Sequence, residues 1–280
     1  MHRKESFYNM NILVTLNSGY IKQLKIMLSS LKQSNQSTPI SLCVLHSSLT
    51  DGDIKDIASV LSAKDSILPI RANADEFSNA PTTDRYPFEM YYRIFAADYL
   101  PSSLDRILYL DPDIIVKGSL SELYNMPLEK CLIAAASHVG KVMTKINTKR
   151  LSEEKNDIPY INSGVMLMNL ERLRKEQSKD KVFEYIEKYK ERLILPDQDI
   201  ISGLYGNDIT LIDPYIYNMT ERMFALHPDS QSWLNLKWVK ENSVIIHYCG
   251  RNKPWKSGYV GSLDVFYKQA EEIYESNSTD

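Results

Sequence analysis

Three Asp-x-Asp triplets are the residues of this chain whose spacing most directly suggests chemistry. One of them, Asp111-Pro112-Asp113, lies between the apolar runs RILYL and IIV, which places both carboxylates at the carboxyl end of a predicted buried strand. Ligands bind at that edge of open α/β sheets. Two carboxylates separated by one residue suit Mg²⁺ or Mn²⁺ that bridges them to a diphosphate. The triplet therefore predicts a metal and phosphate site at Asp111 and Asp113.

The other two triplets lie at predicted helix starts. Asp51 and Asp53 begin an amphipathic helix, where acidic side chains complement the helix dipole, so we expect a structural role for them. Asp197 and Asp199 flank Gln198 directly after a proline, at the start of another predicted helix. Capping of that helix competes with a functional role there.

Polar residues in otherwise apolar segments are the remaining candidates. His247 follows the apolar run 244–246, so it stands at a predicted strand end, where a lone histidine is either structural or a ligand. Asn162 and Ser163 interrupt another apolar run, and such buried amide and hydroxyl groups need hydrogen-bond partners. Arg93 lies on a predicted helix, in a position compatible with solvent or with a ligand contact.

The elements that must position these side chains alternate between strand and helix, which predicts an α/β fold with a mostly parallel central sheet and flanking helices. Residues 138–157 are charged and poor in large apolar side chains, which predicts a loop. The predicted strands are 11–16, 40–45, 66–70, 106–110, 131–136, 161–168 and 244–246. The predicted helices are 21–31, 54–61, 88–99 and 181–193.

Composition narrows the class of protein further. The 280 residues carry 33 basic and 36 acidic side chains, and the net charge of −3 predicts no nucleic-acid surface. No apolar run approaches the ~20 residues that span a bilayer, so we expect no transmembrane segment, although peripheral membrane contact stays open. The three cysteines are scattered, which favours a reducing, cytoplasmic location.

Five ordered blocks between Asn11 and Trp255 resemble glycosyltransferase family 8, which includes bacterial lipopolysaccharide galactosyl- and glucosyltransferases and glycogenin. The resemblance implies a GT-A fold, with a catalytic domain over residues 10–260 and an acidic C-terminal helix or tail over 261–280. It also implies transfer of glucose or galactose from a UDP-hexose donor to a saccharide or glycolipid acceptor, with retention at the anomeric carbon. The blocks are NILVTLNSGY, YYRIFAADYLP, RILYLDPDIIV, YINSGVMLMNL with PDQDI, and HYCGRNKPW.

The same resemblance implies roles for single residues. The metal ligands would be Asp111, Asp113 and His247, with Mn²⁺ as the cation and Mg²⁺ as the alternative. Gln198 would face the anomeric carbon as the catalytic residue, and a double displacement through Asp199 or Asp197 stays open. The implied donor-binding residues are Thr15, Asn17, Arg93, Asp111, Asp113, Asn162, Ser163, Asp197, Gly250 and Lys253.

Two other classes of function use similar features. Haloacid dehalogenase-type phosphohydrolases carry Asp-x-Asp after an apolar strand, but they usually have Thr or Val where this chain has Ile115, and their motif opens the fold. A non-catalytic relative that binds a nucleotide sugar without turnover is the second alternative.

Overall fold

A computed structural model describes residues 9–73, 89–153, 157–226 and 233–277. Strands and helices alternate along the chain, as the apolar pattern predicts. The strands are β1 (Met10–Thr15), β2 (Ile40–His46), β3 (Ser66–Arg71), β4 (Arg106–Leu110), β5 (Ile114–Val116), β6 (Ile133–Ala136), β7 (Val165–Asn169), β8 (Ile209–Ile212) and β9 (Ile245–His247). The helices are α1 (Ile21–Ser34), α2 (Asp51–Ala58), α3 (Glu89–Tyr92), α4 (Ala96–Tyr99), α5 (Ser121–Tyr124), α6 (Lys141–Leu151), α7 (Leu170–Glu176), α8 (Lys179–Tyr189), α9 (Pro196–Tyr205), α10 (Pro214–Tyr217), α11 (Glu221–Ala225), α12 (Leu236–Asn242) and α13 (Asp264–Asn277).

Seven of the described strands form one sheet in the order β3-β2-β1-β4-β7-β6-β8. The sheet is mostly parallel, and only β7 runs antiparallel to its neighbours β4 and β6. The reversal pairs Val165 at the start of β7 with Leu110 at the end of β4. The residues that precede β7 therefore lie at the same edge of the sheet as the residues that follow β4.

Both faces of the central strands are covered, which explains why their sequences are nearly continuous apolar runs. Leu13 and Tyr109 pack in the core on one face, whereas Ile12 and Leu108 pack in the core on the other face. This alternation is the two-residue period of a strand. Burial on both sides fixes the register of β1 and β4, and with it the positions of the polar residues at their ends.

The start of α2 shows the predicted capping box. The Thr50 hydroxyl accepts a hydrogen bond from the Asp53 backbone N–H, and the Asp53 carboxylate accepts one from the Thr50 backbone N–H at 2.8 Å. Asp51 lies in the first turn of the same helix. The expected structural role of the Asp51 and Asp53 triplet is confirmed.

Several predicted boundaries differ from the structure. The predicted strand 161–168 begins only at Val165, and the predicted helix 88–99 is divided into α3 and α4. The prediction of a loop over 138–157 is wrong, because α6 occupies most of it. Its buried side includes Asn147 and Thr148, so the helix lacks the apolar periodicity that reveals a helix in sequence. Phe88 and the stretches 154–156 and 278–280 lie outside the described residues.

The last helix, α13, lies within the predicted acidic C-terminal segment and packs against α1. Phe266, Tyr267 and Ala270 of α13 are buried in one cluster with Ile26 of α1. Among the described residues, no helix is long and apolar enough to cross a membrane.

Candidate active site

Asp111, Asp113 and His247 converge at the carboxyl edge of the sheet. Asp111 follows β4, Asp113 precedes β5, and β9 places His247 directly opposite Ile114 of β5. His247 Nε2 lies 3.2 Å from Asp113 Oδ1 and 3.5 Å from Asp111 Oδ2. One potential ligand atom from each residue lies within 4.8 Å of the other two. The short β5–β9 pair thus brings a histidine from far along the chain to the two carboxylates.

The three side chains fit a divalent cation. Asp113 Oδ1 and His247 Nε2 are buried and have no hydrogen-bond partner, a costly arrangement unless another group satisfies them. Ligands around an octahedral cation with bonds of about 2.1 Å are roughly 3 Å apart. The separations of 3.2 and 3.5 Å are close to that spacing. Two carboxylates and one imidazole suit Mn²⁺, whereas Mg²⁺ prefers oxygen ligands alone.

The electrostatics of the centre favour a positive charge. Burial alone would lower the pKa of His247, but the Asp113 and Asp111 carboxylates outweigh burial and raise that pKa to about 10. Burial opposes ionisation of Asp113, yet the charges of Lys253 and His247 hold its pKa well below the usual range. The pKa of Asp111 is lowered in the same way, mainly by Arg93 against burial. Both carboxylates are therefore ionised at neutral pH.

Arg93 is buried between carboxylates, so the solvent-exposed alternative for it is wrong. Its Nη1 lies 3.1 Å from Asp111 Oδ1 and 3.2 Å from Asp197 Oδ2. Its guanidinium carbon lies 4.5 Å from the centre of the Tyr109 ring. The Ser163 hydroxyl donates to Asp197 Oδ2 at 2.7 Å. Four predicted site residues therefore form one polar cluster, and it includes Asp111, a predicted metal ligand.

Lys253 and Gly250 follow β9 in the loop that returns to the carboxylates. The Lys253 ammonium group is buried, pairs with Asp113 and donates to the Tyr248 carbonyl at 2.7 Å. Burial lowers its pKa, but the Asp113 charge outweighs burial and raises it. Gly250 has a φ of +86°, a conformation that a side chain would strain.

A chain of amides joins the predicted catalytic glutamine to the histidine. Asn162 Nδ2 donates to Gln198 Oε1 at 2.9 Å, and Asn162 Oδ1 accepts from Asn218 Nδ2 at 3.0 Å. Asn218 Oδ1 in turn lies 2.9 Å from His247 Nδ1. Gln198 itself is half-buried. The structure therefore connects Gln198 to His247, one of the predicted metal ligands, through a chain of hydrogen bonds.

Thr15 is the last residue of β1, and Asn17 follows this strand. Thr15 is buried, and its hydroxyl lies 2.9 Å from the Tyr109 hydroxyl, which donates to Asp111 Oδ1 at 2.6 Å. Thr15 therefore supports Asp111 through Tyr109. Asn17 is half-buried and accepts from the Gly19 backbone N–H at 3.0 Å, which caps a short helical turn. Contact of either residue with a donor remains a prediction.

The Asp199 carboxylate is held by Arg150 of α6 and by Tyr160. It is fully buried and accepts from Arg150 Nη2 at 2.7 Å, from Arg150 Nη1 at 2.8 Å, and from the Tyr160 hydroxyl at 2.8 Å. The backbone N–H groups of Ile194 and Leu195 donate to it as well. Every lone-pair direction of this carboxylate is engaged, so the structure gives no support to Asp199 as a nucleophile.

We predict that Asp199→Ala lowers the free energy of unfolding by about 3 kcal/mol, because it leaves the Arg150 guanidinium without its buried partner. The melting temperature should fall by roughly 6–12 °C for a chain of this size. Thermal unfolding and kcat measured on the same preparations test the structural role. Asp199→Asn with an unchanged melting temperature and no turnover would instead favour a nucleophile.

Three residues of the site were not predicted from sequence. Tyr109 lies within an apolar strand, and Asn218 directly follows α10, so neither belongs to a recognisable sequence motif. The third is Gly164. It belongs to the site because a Cβ there would collide with His247 Cε1 and would lie 2.6 Å from Asp111 Oδ2. The Asn-Ser-Gly sequence before β7 was a signal for Gly164, since a glycine among buried polar residues indicates close approach.

The fold and this edge cluster define the class of GT-A glycosyltransferases. The solved structure of galactosyltransferase LgtC in complex with donor and acceptor sugar analogues matches with a TM-score of 0.82, at 23% identity, over 95% of this chain and 96% of that chain. The family model for glycosyl transferase family 8 matches residues 11–258. This chain belongs to glycosyl transferase family 8, as the sequence blocks predict.

Two of the similar proteins have names that describe sugar transferases of lipopolysaccharide. Lipopolysaccharide 1,2-glucosyltransferase of Escherichia coli K12 is 27% identical over 274 residues, which cover 94% of this chain and 78% of that protein. Lipopolysaccharide 1,3-galactosyltransferase of Salmonella typhimurium is 27% identical over 71% of this chain and 58% of its own length. Membership of this family leaves no support for the phosphohydrolase alternative.

Proposed function

We propose that this chain is a retaining hexosyltransferase that transfers glucose or galactose from a UDP-sugar to a saccharide or glycolipid acceptor, with a divalent cation as cofactor. The observation that carries the proposal is the convergence of Asp111, Asp113 and His247, with two buried ligand atoms unpartnered, in a family 8 chain. A bound Mn²⁺ would supply Lewis-acid stabilisation of the diphosphate leaving group without a proton transfer.

The basic residues of the site are placed to stabilise developing negative charge. Lys253 is buried beside Asp113, so its ammonium charge is weakly screened and points toward the same region as the carboxylates. Arg93 is held by Asp111 and Asp197, which fixes its guanidinium without reorganisation during reaction. In many enzymes, preorganised charge of this kind contributes more to the rate enhancement than any other effect.

The residue proposed to face the anomeric carbon is a neutral amide. Gln198 Oε1 accepts one hydrogen bond from Asn162 and retains a second lone pair. An amide cannot deprotonate an acceptor hydroxyl as an inverting mechanism requires. Asp197 is occupied by Arg93 and Ser163. These contacts favour attack from the leaving-group face, with the acceptor proton passing to a phosphate oxygen.

The proposed class of substrate rests mainly on the names of the relatives and less on the geometry of the site. The names of both relatives describe sugar transfer to lipopolysaccharide, one of glucose and one of galactose. We therefore propose a glycan or glycolipid acceptor and either hexose as donor sugar. All three cysteines are free, which fits a reducing location such as the cytoplasm.

Thermal unfolding with UDP-sugars tests donor and cation together. A saturating UDP-hexose with Mn²⁺ should add about 2.7 kcal/mol at a hundredfold excess over Kd, which raises the melting temperature by roughly 5–10 °C. Release of UDP under the same conditions separates a transferase from a non-catalytic binding relative. Binding of UDP-hexose without metal-dependent UDP release, with any offered glycan, would favour the non-catalytic relative.

We predict that an α-linked UDP-hexose gives an α-linked product. Proton NMR of the first product formed resolves the anomeric configuration before it equilibrates. A water-derived hexose from slow hydrolysis serves as the control when no acceptor is supplied, and it should also appear first as the α anomer. A β-linked product would contradict the proposed role of Gln198.

A further inference from the structure

Asn218 directly follows α10, is fully buried and is held by several hydrogen bonds. Its backbone N–H donates to the Pro214 carbonyl at 3.1 Å, and its carbonyl lies 2.9 Å from His138 Nε2. The next residue, Met219, pairs through its backbone with β9, where its carbonyl accepts from the His247 N–H at 2.8 Å. The Asn218 side chain is therefore fixed beside the imidazole of His247.

The orientation of each amide in this region follows from one backbone group. The Gly164 N–H can only donate, and it faces Asn162 Oδ1 at 3.1 Å, so that atom is the acceptor oxygen. The Asn218 atom that faces this oxygen must then be the donor Nδ2. Asn218 Oδ1 consequently faces His247 Nδ1, and a carbonyl can only accept.

The proton of a neutral His247 therefore lies on Nδ1, and its Nε2 lone pair faces Asp111 and Asp113. That is the tautomer a metal-binding imidazole needs, and a hydrogen bond to the second ring nitrogen commonly fixes it. At the other end of the chain of amides, Asn162 Nδ2 donates to Gln198 Oε1.

We propose that Asn218 is a positioning residue that sets two parts of the site at once. Its oxygen fixes the tautomer and orientation of His247, and its amide nitrogen fixes Asn162, which orients Gln198. The inference rests on the proposed function, because it needs a cation at Asp111, Asp113 and His247.

Two substitutions separate the two halves of this role. Asn218→Ala removes both hydrogen bonds, and Mn²⁺ affinity, measured from the electron paramagnetic resonance signal of free Mn²⁺, should fall about 10- to 100-fold. Asn218→Asp keeps an acceptor for His247 Nδ1 but places an oxygen opposite Asn162 Oδ1. It should retain Mn²⁺ affinity while kcat at saturating Mn²⁺ and donor falls at least about tenfold. A merely structural role would lower both properties together.

Asn125→Ala, at an exposed position after α5, is the matched control and should change neither property. Wild-type Mn²⁺ affinity in Asn218→Ala would overturn the role toward His247, and wild-type kcat in Asn218→Asp would overturn the role toward Gln198. If Asn218→Ala does not fold, Asn218→Asp alone still decides, through retained affinity with lowered kcat. A wild-type protein that binds no Mn²⁺, with or without UDP, would instead contradict the proposed function itself.

A second feature, independent of the first, is the outer face of α6. The buried side chains of this helix include Asn147, Thr148 and Leu151. On the opposite side Val142, Met143 and Ile146 are 72%, 46% and 50% exposed. This helix thus exposes three apolar side chains while it buries two polar residues, Asn147 and Thr148, which an ordinary surface helix does not do.

Lysines border this apolar strip. Lys141, Lys145 and Lys149 are spaced by one helical turn, are exposed and form no ion pair with any described residue. The helix sequence KVMTKINTKRL contains no acidic residue. This concentration of positive charge contrasts with the net charge of −3 for the whole chain. An apolar strip beside a cationic stripe fits a surface that is negatively charged outside and apolar beneath.

The position of α6 relates this face to the candidate site. The helix packs against α9, which carries Gln198, and Arg150 of α6 binds Asp199 of α9. We infer that Lys141, Lys145 and Lys149, with Val142 and Ile146, dock on an anionic phospholipid surface.

Co-sedimentation with vesicles tests this docking. The protein should bind vesicles of equimolar phosphatidylcholine and phosphatidylglycerol, and it should bind pure phosphatidylcholine vesicles weakly. Changing Lys141, Lys145 and Lys149 to Gln should weaken binding about a hundredfold. The same change at Lys55, Lys130 and Lys240, which are exposed elsewhere, gives the matched control.

Val142→Asp combined with Ile146→Asp should abolish binding while UDP release is unchanged. Equal binding to both vesicle types, undiminished binding of the three-lysine variant, or a dimer in sedimentation equilibrium that this double variant dissociates would each overturn the inference.

Discussion

Asp113→Asn is expected to lower kcat for hexosyl transfer by about three orders of magnitude or more while the fold is retained. Loss of metal-ion stabilisation at the leaving group costs several kcal/mol, and each 1.4 kcal/mol is a factor of ten in rate. Asp113 Oδ2 pairs with Lys253, and Oδ1 is the unpartnered atom 3.2 Å from His247 Nε2. An asparagine presents one oxygen and one NH₂ group, so either the cation or Lys253 would face a donor.

The measurement is kcat at saturating UDP-hexose with increasing Mn²⁺, together with thermal unfolding. Asp51→Asn is the matched control, because Asp51 belongs to an equally spaced triplet whose carboxylates serve a helix start. It should leave kcat unchanged. Full turnover by wild-type protein after exhaustive chelation would contradict metal dependence, and so would an Asp113→Asn enzyme with wild-type kcat.

The triplets show how far sequence alone leads. At the start of α2 the interactions are local, so the spacing of Thr50 and Asp53 was sufficient to predict them. For the third triplet, the predicted helix also implied the directions in which Asp197 and Asp199 point. Residues two apart on a helix point about 200° apart, so Asp197 and Asp199 cannot both face one site. Asp197 accordingly meets Arg93, whereas Asp199 meets Arg150 on the other side.

The sequence predicted a mostly parallel sheet, but it did not predict the direction of every strand. Apolar runs with intervening helices predicted a mostly parallel α/β sheet, and the structure confirms it. The reversed direction of β7 depends on its pairing with β4 and β6, which no local pattern records. Asn162, Ser163 and Gly164 precede β7. Because β7 is reversed, they lie at the edge of the sheet that holds Asp111.

The supporting residues of the site were beyond sequence for a similar reason. Asn218 acts through contacts with His247 and Asn162, which are distant in the chain. The sequence analysis missed α6 because its buried side includes polar residues, so the helix lacks an apolar period. Its residue Arg150 is held by the Asp199 carboxylate of α9, a contact between segments that are distant in the chain. The family blocks indicate the residues that a substrate would contact. The residues that position those side chains are found only from the contacts in the folded structure.

Gly164→Ala is expected to weaken Mn²⁺ binding at least about tenfold and to lower kcat/KM about a hundredfold, because one methyl group would enter the space between two of the proposed metal ligands. The new Cβ would overlap His247 Cε1 and lie 2.6 Å from Asp111 Oδ2. Neither neighbour can move freely, since Asn218 and β9 hold His247, and Tyr109 and Arg93 hold Asp111.

The Gly164→Ala substitution isolates the methyl group, because Gly164 is not among the glycines with positive φ, so alanine adds no backbone strain. Overpacking should lower the free energy of unfolding by about 1–3 kcal/mol.

Gly140→Ala is the matched control, since Gly140 has a φ of −81° and open space around its Cβ position. It should change stability by about 1 kcal/mol or less and leave Mn²⁺ binding intact. Mn²⁺ titration, thermal unfolding and kcat/KM on both variants provide the comparison. Wild-type Mn²⁺ affinity in Gly164→Ala would show that a cation does not need His247 and Asp111 in the positions they occupy here, and it would remove the geometric basis of the proposed metal site.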